Sequence, residues 1–169
     1  MVDIIFIIPT IGRESLKESI DSILNINLNK IYSLKIIIIF DGIKNILPSY
    51  YCLLKNIIII ESDKVGILCK KNNAGLVRNI GFKYIIDNEI SCKFISFLDD
   101  DDTISPNFII NLYKDNDKYD SDVIINRMMY ENYKIVPNPI TNKLIRNNVG
   151  ISFVIKRKII EDGNKFINS

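Results

Sequence analysis

Phe94-Ile95-Ser96-Phe97-Leu98-Asp99-Asp100-Asp101-Asp102 decides the fold, because an apolar run of strand length is followed at once by four carboxylates. A near-continuous apolar run is the pattern of a strand buried on both faces of a parallel sheet. The aspartates then fall where that strand surfaces. In open α/β sheets ligands sit outside the carboxyl ends of the strands. Adjacent carboxylates repel one another unless a cation compensates them, and hard oxygen ligands favour Mg²⁺ or Mn²⁺. The plainer reading is a solvated acidic turn that caps a helix after Pro106, and the strand-end position favours the metal.

Working outward, Ile4–Ile8, Leu34–Phe40 and Ile57–Glu61 are further runs of the same kind. Between the first two, Ser15-Leu16-Lys17-Glu18 has capping-box spacing, and Leu16, Ile20, Ile23 and Leu24 recur at helical spacing. Gly75 to roughly Asn88 predicts a second helix with Leu76, Val77, Ile80 and Tyr84 on one face. Ser105-Pro106 predicts a third, with proline in its first position and Phe108, Ile109, Leu112 and Tyr113 turned inward. Ile43–Lys55 reads as a short helix with a turn at Pro48-Ser49. After Asp115 the pattern changes to strands around Val123–Tyr130 and Ile151–Ile155, with no obvious helix between them. The expectation is one α/β domain: a mostly parallel sheet, late antiparallel strands, and helices on both faces.

With 169 residues, of which 47% are hydrophobic and 25% charged, the chain has the size and composition of one globular domain. Its basic residues are scattered apart from Lys70-Lys71 and Lys156-Arg157-Lys158, and the formal net charge is only +2, so no nucleic-acid footprint is present. Both clusters read as solvated faces rather than phosphate contacts. Histidine is absent, which excludes Ser/His/Asp hydrolases and histidine zinc sites and leaves acid–base chemistry to carboxylates. Cys52, Cys69 and Cys92 are odd in number and form no C-x-x-C pair, as expected of buried thiols in a reducing compartment. Ile4–Ile8 is broken by Pro9 and is too short for a signal peptide or membrane span. A soluble, cytoplasmic protein is the expectation.

The polar candidates each follow a predicted strand. Pro9, Thr10 and Arg13 follow the first, Asp41-Gly42 the second, Asp63 the third and Asp99 to Asp102 the fourth. Parallel strands deliver all four ends to one rim. An arginine, a lone aspartate and an acidic cluster are the parts of a site for a nucleoside diphosphate and its bridging metal. Each has a plainer reading alone: Arg13 as a surface residue, Asp41-Gly42 as a turn, Asn79 as a helix contact. Arg78 lies on an otherwise apolar helix face, where a guanidinium needs an anion. Either the Asp99 cluster or a substrate phosphate supplies it.

Taken in order, Pro9-Thr10-Ile11-Gly12-Arg13, Ile39-Phe40-Asp41-Gly42, Asn73-Ala74-Gly75 through Arg78-Asn79, and Phe97-Leu98-Asp99-Asp100-Asp101-Asp102 with Pro106 resemble the landmarks of family 2 glycosyltransferases of the GT-A fold. The resemblance implies a GT-A-like, Rossmann-type domain over residues 1–169. Residues 1–115 would form the half that binds nucleotide-sugar and metal, and 116–169 a shortened acceptor-side half. It implies that Pro9, Thr10, Arg13 and Asp41 bind the base and ribose of a donor, UDP-linked in first preference, with Asp41 accepting from a uracil N–H. Arg78 would lie near the diphosphate or base. Asp99 and Asp101 would be the acids of the D-x-D element, Asp101 the foremost ligand of Mn²⁺ or Mg²⁺ and Asp99 or Asp100 a ribose or water-mediated contact. Asp102 would mainly favour the start of the following helix.

The family places its acidic general base beyond a segment like Gly150-Ile151-Ser152-Phe153 and Lys156-Arg157. Here the candidates are Glu161 and Asp162, with Glu131 a further one. Shortening or divergence of this half is the expectation, with donor bound and turned over slowly onto an unknown acceptor. Two rivals remain. A domain that binds nucleotide-sugar without turnover would share the same rim. Asp99 to Thr103 also fits the D-x-D-x-T pattern of Mg²⁺-dependent phosphatases, although most of the α/β core precedes the motif here. A nucleotidyltransferase is disfavoured by the lack of a glycine-rich phosphate loop.

Overall fold

The computed structural model describes residues 1–27, 32–65, 74–130, 132–138 and 153–166. Four strands run parallel: β1 (Val2–Thr10), β2 (Leu34–Asp41), β3 (Ile57–Ser62) and β4 (Cys92–Phe97). Two more complete the sheet, β5 (Val123–Ile125) and β8 (Phe153–Lys156), in the order β3-β2-β1-β4-β8-β5. β8 runs antiparallel to both of its neighbours. The isoleucine runs form strands because β-branched side chains fit the pleated surface and both faces are covered. Ile4, Phe6, Ile8, Ile36, Ile38 and Phe40 share one core with residues of α1 (Leu16–Leu24) and α4 (Phe108–Tyr119). The alternate residues Ile5, Ile7, Ile37 and Ile39 share the other with α3 (Ala74–Asp87).

Register fixes the rim. Thr10 pairs with Phe40, Asp41 pairs with Ser62, and the Leu98 N–H donates to the carbonyl of Ile7. The residues that follow β4 therefore rise alongside the end of β1, as the strand-end reading expects.

Several local expectations are corrected. Ser15 has helical backbone angles and its side chain makes no capping hydrogen bond; the turn is entered instead through Leu16 N–H donating to the Arg13 carbonyl. Pro106 lies in a turn ahead of α4, with Phe108 N–H bonded to the Ser105 carbonyl, so it is not the helix's first residue. In α3 the fully covered residues are Val77, Arg78, Gly81, Phe82 and Ile85, whereas Leu76, Ile80 and Tyr84 are half-buried. The helix is rotated because Gly81 lets its backbone close on the sheet: a Cβ there would stand 2.9 Å from Ile7 Cδ1.

The expected strand at Val123–Tyr130 divides. Its first part is β5, and its second, β6 (Met128–Met129), turns away to pair with β7 (Ile135–Val136) in a separate hairpin. The ambiguous segment holds one turn of helix, α2 (Ser49–Cys52), after Pro48. Ile151 and Ser152 lie outside the described residues, as do Cys69, Lys70-Lys71, Asn73, Glu131 and Gly150. Cys92 is buried, and burial pushes its thiol up to about 11, but Cys52 is exposed. Lys156, Arg157 and Lys158 are not a free basic face, since they pair with Asp120, Glu161 and Asp122. Among the described residues no helix is long and apolar enough to cross a membrane.

Candidate active site

The end of β1 and the loop after β4 are joined side chain to side chain. Thr10 Oγ1 donates to Asp100 Oδ2 at 2.6 Å, and Arg13 Nη1 donates to Asp100 Oδ1 at 3.2 Å. The same Arg13 nitrogen reaches Asp101. From the opposite face of the sheet, Arg78 on α3 pairs with Asp99. The four-aspartate run is therefore compensated by two arginines drawn from different elements.

Within this frame Asp99, Asp101 and Asp102 each offer a carboxylate oxygen, all within 4.8 Å of one another. Asp100 is turned inward and contributes none. Burial lifts the Asp99 carboxyl above its ordinary range, Arg78 opposes that lift, and the charges of Asp101 and Asp100 add to it. Asp102 is raised by burial and by Asp99 and Asp101. Raised carboxyls packed together are what a divalent cation would relieve, and an all-oxygen donor set fits Mg²⁺ or Mn²⁺. Asp102 thus belongs to the cluster. It does not serve the next helix, whose first residue is Phe108.

Asp41 is buried at the end of β2, where its Oδ1 accepts the Val65 N–H at 2.7 Å. Gly42 follows at φ +75, and a Cβ there would stand 2.4 Å from the Lys64 side chain, so the turn beside Asp41 admits only glycine. Pro9 completes the neighbourhood within β1. Asn79 is a helix contact: its side-chain amide exchanges two hydrogen bonds with the backbone of Phe166, each 2.9 Å.

Glu161 and Asp162 are not brought to this rim. Arg157 N–H bonds to the Lys93 carbonyl at the beginning of β4, and Glu161 pairs with Arg157 at 2.6 Å in α5 (Lys158–Glu161). Asp162 closes that helix. About five strand residues, or ~17 Å, separate that end of β4 from Asp99. What the sequence did not disclose is a cleft of about 1070 Å³ between the acidic loop and the β6–β7 hairpin, walled by Asp101, Thr103 and Phe108 on one side and Arg127, Met129 and Tyr130 on the other. The only signal was the break in alternation after Ile125, where Asn126-Arg127 interrupts the strand pattern.

The order of strands, with an acidic loop at the carboxyl-end rim of a mostly parallel sheet, defines a domain of GT-A type. The chain belongs to glycosyl transferase family 2, whose model matches residues 5–166. No curated protein matches it by sequence. Among solved structures it is similar to S. aureus TarS 1-349, with 17% identity, TM-score 0.69, and 96% of this chain covered against 49% of that one. TarS 1-349 in complex with UDP gives 19% identity, TM-score 0.66, and coverage of 96% and 49%. The mannosyltransferase PcManGT from Pyrobaculum calidifontis, in complex with GDP-Man and Mn2+, gives 13% identity, TM-score 0.64, and coverage of 97% and 47%. At these identities the likeness is one of fold. The chain spans about half the length of the structures it matches. Family membership removes the D-x-D-x-T phosphatase reading.

Proposed function

We propose that this domain transfers a sugar from a nucleotide-sugar, UDP-linked in first preference, to an acceptor hydroxyl, with a divalent cation at Asp99, Asp101 and Asp102 and with inversion at the anomeric carbon. The observation that carries the reading is the convergence of three carboxylates within 4.8 Å, flanked by Arg13 and Arg78, at the carboxyl-end rim of a parallel sheet. Mn²⁺ or Mg²⁺ bound there would neutralise charge on the departing nucleoside diphosphate.

The chain's own residues divide the remaining work. Asp41, oriented by the Val65 N–H, offers a carboxylate to a base N–H, which favours uracil. Arg13 and Arg78 bring positive charge beside the diphosphate, and Pro9 lines the ribose side. The neighbouring cleft holds the acceptor. Complexes of a fold neighbour with UDP and UDP-GlcNAc support the UDP preference, and a complex of another with GDP-Man makes guanine the alternative to be tested.

Calorimetry with UDP, GDP and pyrophosphate, each with and without Mn²⁺, tests the reading. UDP is expected to bind in a metal-dependent manner, and Asp41→Ala to weaken UDP at least about tenfold while sparing pyrophosphate, because a buried hydrogen bond to a charged acceptor is worth roughly 1.5–3 kcal/mol. Absence of metal-dependent heat with any nucleotide would remove the donor site. Release of UDP from UDP-sugars on addition of sugar acceptors separates a transferase from a domain that only binds.

A further inference from the structure

Within the proposed donor site, two of the residues expected to touch the nucleotide are placed for other work. We infer that Thr10 and Asp100 are positioning residues, which hold the acidic loop so that Asp99 and Asp101 face the cation. The inference rests on the donor-site reading above and extends it to residues that contact no ligand.

Both residues are closed to a ligand, with only 3% of Thr10 and 5% of Asp100 exposed. Their polar atoms are directed at each other, at the Gly12 N–H and at Arg13. A threonine hydroxyl has one proton to donate. Thr10 Oγ1 accepts the Gly12 N–H at 2.9 Å, which leaves its own proton aimed at Asp100 Oδ2, 2.6 Å away. Gly12 reaches this place with φ +85, and a Cβ on it would stand 2.5 Å from Ile43 Cδ1. The relay from Gly12 to Thr10 to Asp100 is therefore set by a backbone conformation that other residues adopt only under strain. Arg13 completes the ring by donating to the second oxygen of Asp100.

The consequence appears one residue to either side. The side chain of Asp100 is 7% exposed, whereas those of Asp99 and Asp101 are 39% and 53% exposed. With the middle carboxylate anchored inward on β1, its neighbours are left open to solvent, and their oxygens gather with that of Asp102. Three mutually repelling carboxylates would otherwise relax apart. Thr10, distant by ninety positions in sequence, thus keeps the acids within ligating distance.

Free Mn²⁺ followed by electron paramagnetic resonance in the presence of UDP, together with UDP affinity measured at saturating Mn²⁺, tests this on the intact chain. Thr10→Val is expected to weaken Mn²⁺ by about 10- to 100-fold, the usual effect of losing a group that orients metal ligands. UDP affinity at saturating Mn²⁺ is expected to stay at the wild-type value, and Thr10→Ser, which keeps the hydroxyl, to restore Mn²⁺ binding. Asp100→Ala is expected to repeat the Thr10→Val pattern, and it carries the comparison if Thr10→Val does not fold. A UDP deficit that survives saturating Mn²⁺ would make these residues nucleotide contacts and overturn the inference. Unchanged Mn²⁺ affinity in Thr10→Val would overturn it as well while leaving the donor site standing. Failure of the wild-type chain to bind Mn²⁺ with UDP would overturn the donor-site reading and the inference together.

Discussion

Arg78, on the buried face of α3, is 95% withdrawn from solvent and pairs with Asp99 just past the end of β4, while its Nε–H has no hydrogen-bond partner among the described residues. Burial pulls the guanidinium below its ordinary range, and Asp99 opposes that pull. The pair joins the core of the sheet to the acidic rim, so the same contact that satisfies a buried cation also occupies a prospective metal ligand.

This competition gives a first prediction. Arg78→Met removes the buried charge and leaves Asp99 with only like-charged neighbours, so Mn²⁺ without nucleotide is expected to raise Tm more in the variant than in the wild-type chain. Asp99→Asn is expected to do the reverse: it leaves Arg78 buried without its counter-charge, costs about 1–3 kcal/mol after allowance for the exposure of Asp99, and loses the Mn²⁺ response. Thermal unfolding with and without Mn²⁺ measures both. Equal Mn²⁺ shifts in wild type and Arg78→Met would show that Arg78 does not compete with the cation.

A second prediction concerns Asp102. Because its carboxylate lies within 4.8 Å of those of Asp99 and Asp101, Asp102→Asn is expected to weaken Mn²⁺ binding to the same order as Asp101→Asn. A calorimetric Mn²⁺ titration of the two variants decides the matter. Undiminished binding by Asp102→Asn would confine the site to the other two acids.

The strands and the rim were legible because long isoleucine runs admit one reading and because parallel order sends every following polar residue to the same edge. That Arg78 needs an anion was legible, since a guanidinium on an apolar helix face demands one, but the choice of Asp99 over its neighbours or a substrate phosphate was not. The inward turn of Asp100 was not legible. Four identical residues carry no signal of which one faces the core, and that is decided by Thr10 across the sheet. Nor could the spacing of Ser15 and Glu18 reveal that the Arg13 carbonyl, rather than the Ser15 side chain, begins α1. The rotation of α3 was hidden for a related reason, since a glycine carries no apolar mark and Gly81 is where the helix comes nearest the sheet.

That close approach is testable. At Gly81 a Cβ would meet Ile7 Cδ1 at 2.9 Å, Ile7 Cγ2 at 3.0 Å and Ile39 Cδ1 at 3.3 Å, and both isoleucines are fully buried. Alanine gains up to about 1 kcal/mol in helix propensity, but overpacking costs about 1–3 kcal/mol, so Gly81→Ala is expected to destabilise the fold. Ile7→Val removes the methyl that the new Cβ meets first. The double variant is therefore expected to be more stable than the sum of the single effects allows, by urea unfolding. Strict additivity would mean that α3 shifts to relieve the contact elsewhere.

The last prediction lies at the opposite end of the sheet, where Tyr113 Oη on α4 donates to Asp3 Oδ1 at 2.5 Å and Ser33 donates to Asp3 Oδ2 from its N–H and its hydroxyl at 2.8 and 2.9 Å. Burial alone would raise the Asp3 carboxyl; the donors from Tyr113 and Ser33, with Lys93 nearby, more than reverse this and hold it below 3.8. A carboxyl depressed in the folded state stabilises the fold above its unfolded pKa, and that contribution is lost as pH falls through the folded value. Tyr113→Phe keeps the ring against Tyr32 and Lys93 but removes the donor. It is expected to cost about 1–2 kcal/mol at pH 7, a figure set by a partly exposed hydrogen bond to a charged acceptor. The difference between wild type and variant is expected to shrink as the pH falls from neutral through the acid range and Asp3 is protonated. Urea unfolding of both proteins across that range measures it, and a difference that stayed constant with pH would show that the Asp3 charge takes no part in holding α4 to β1.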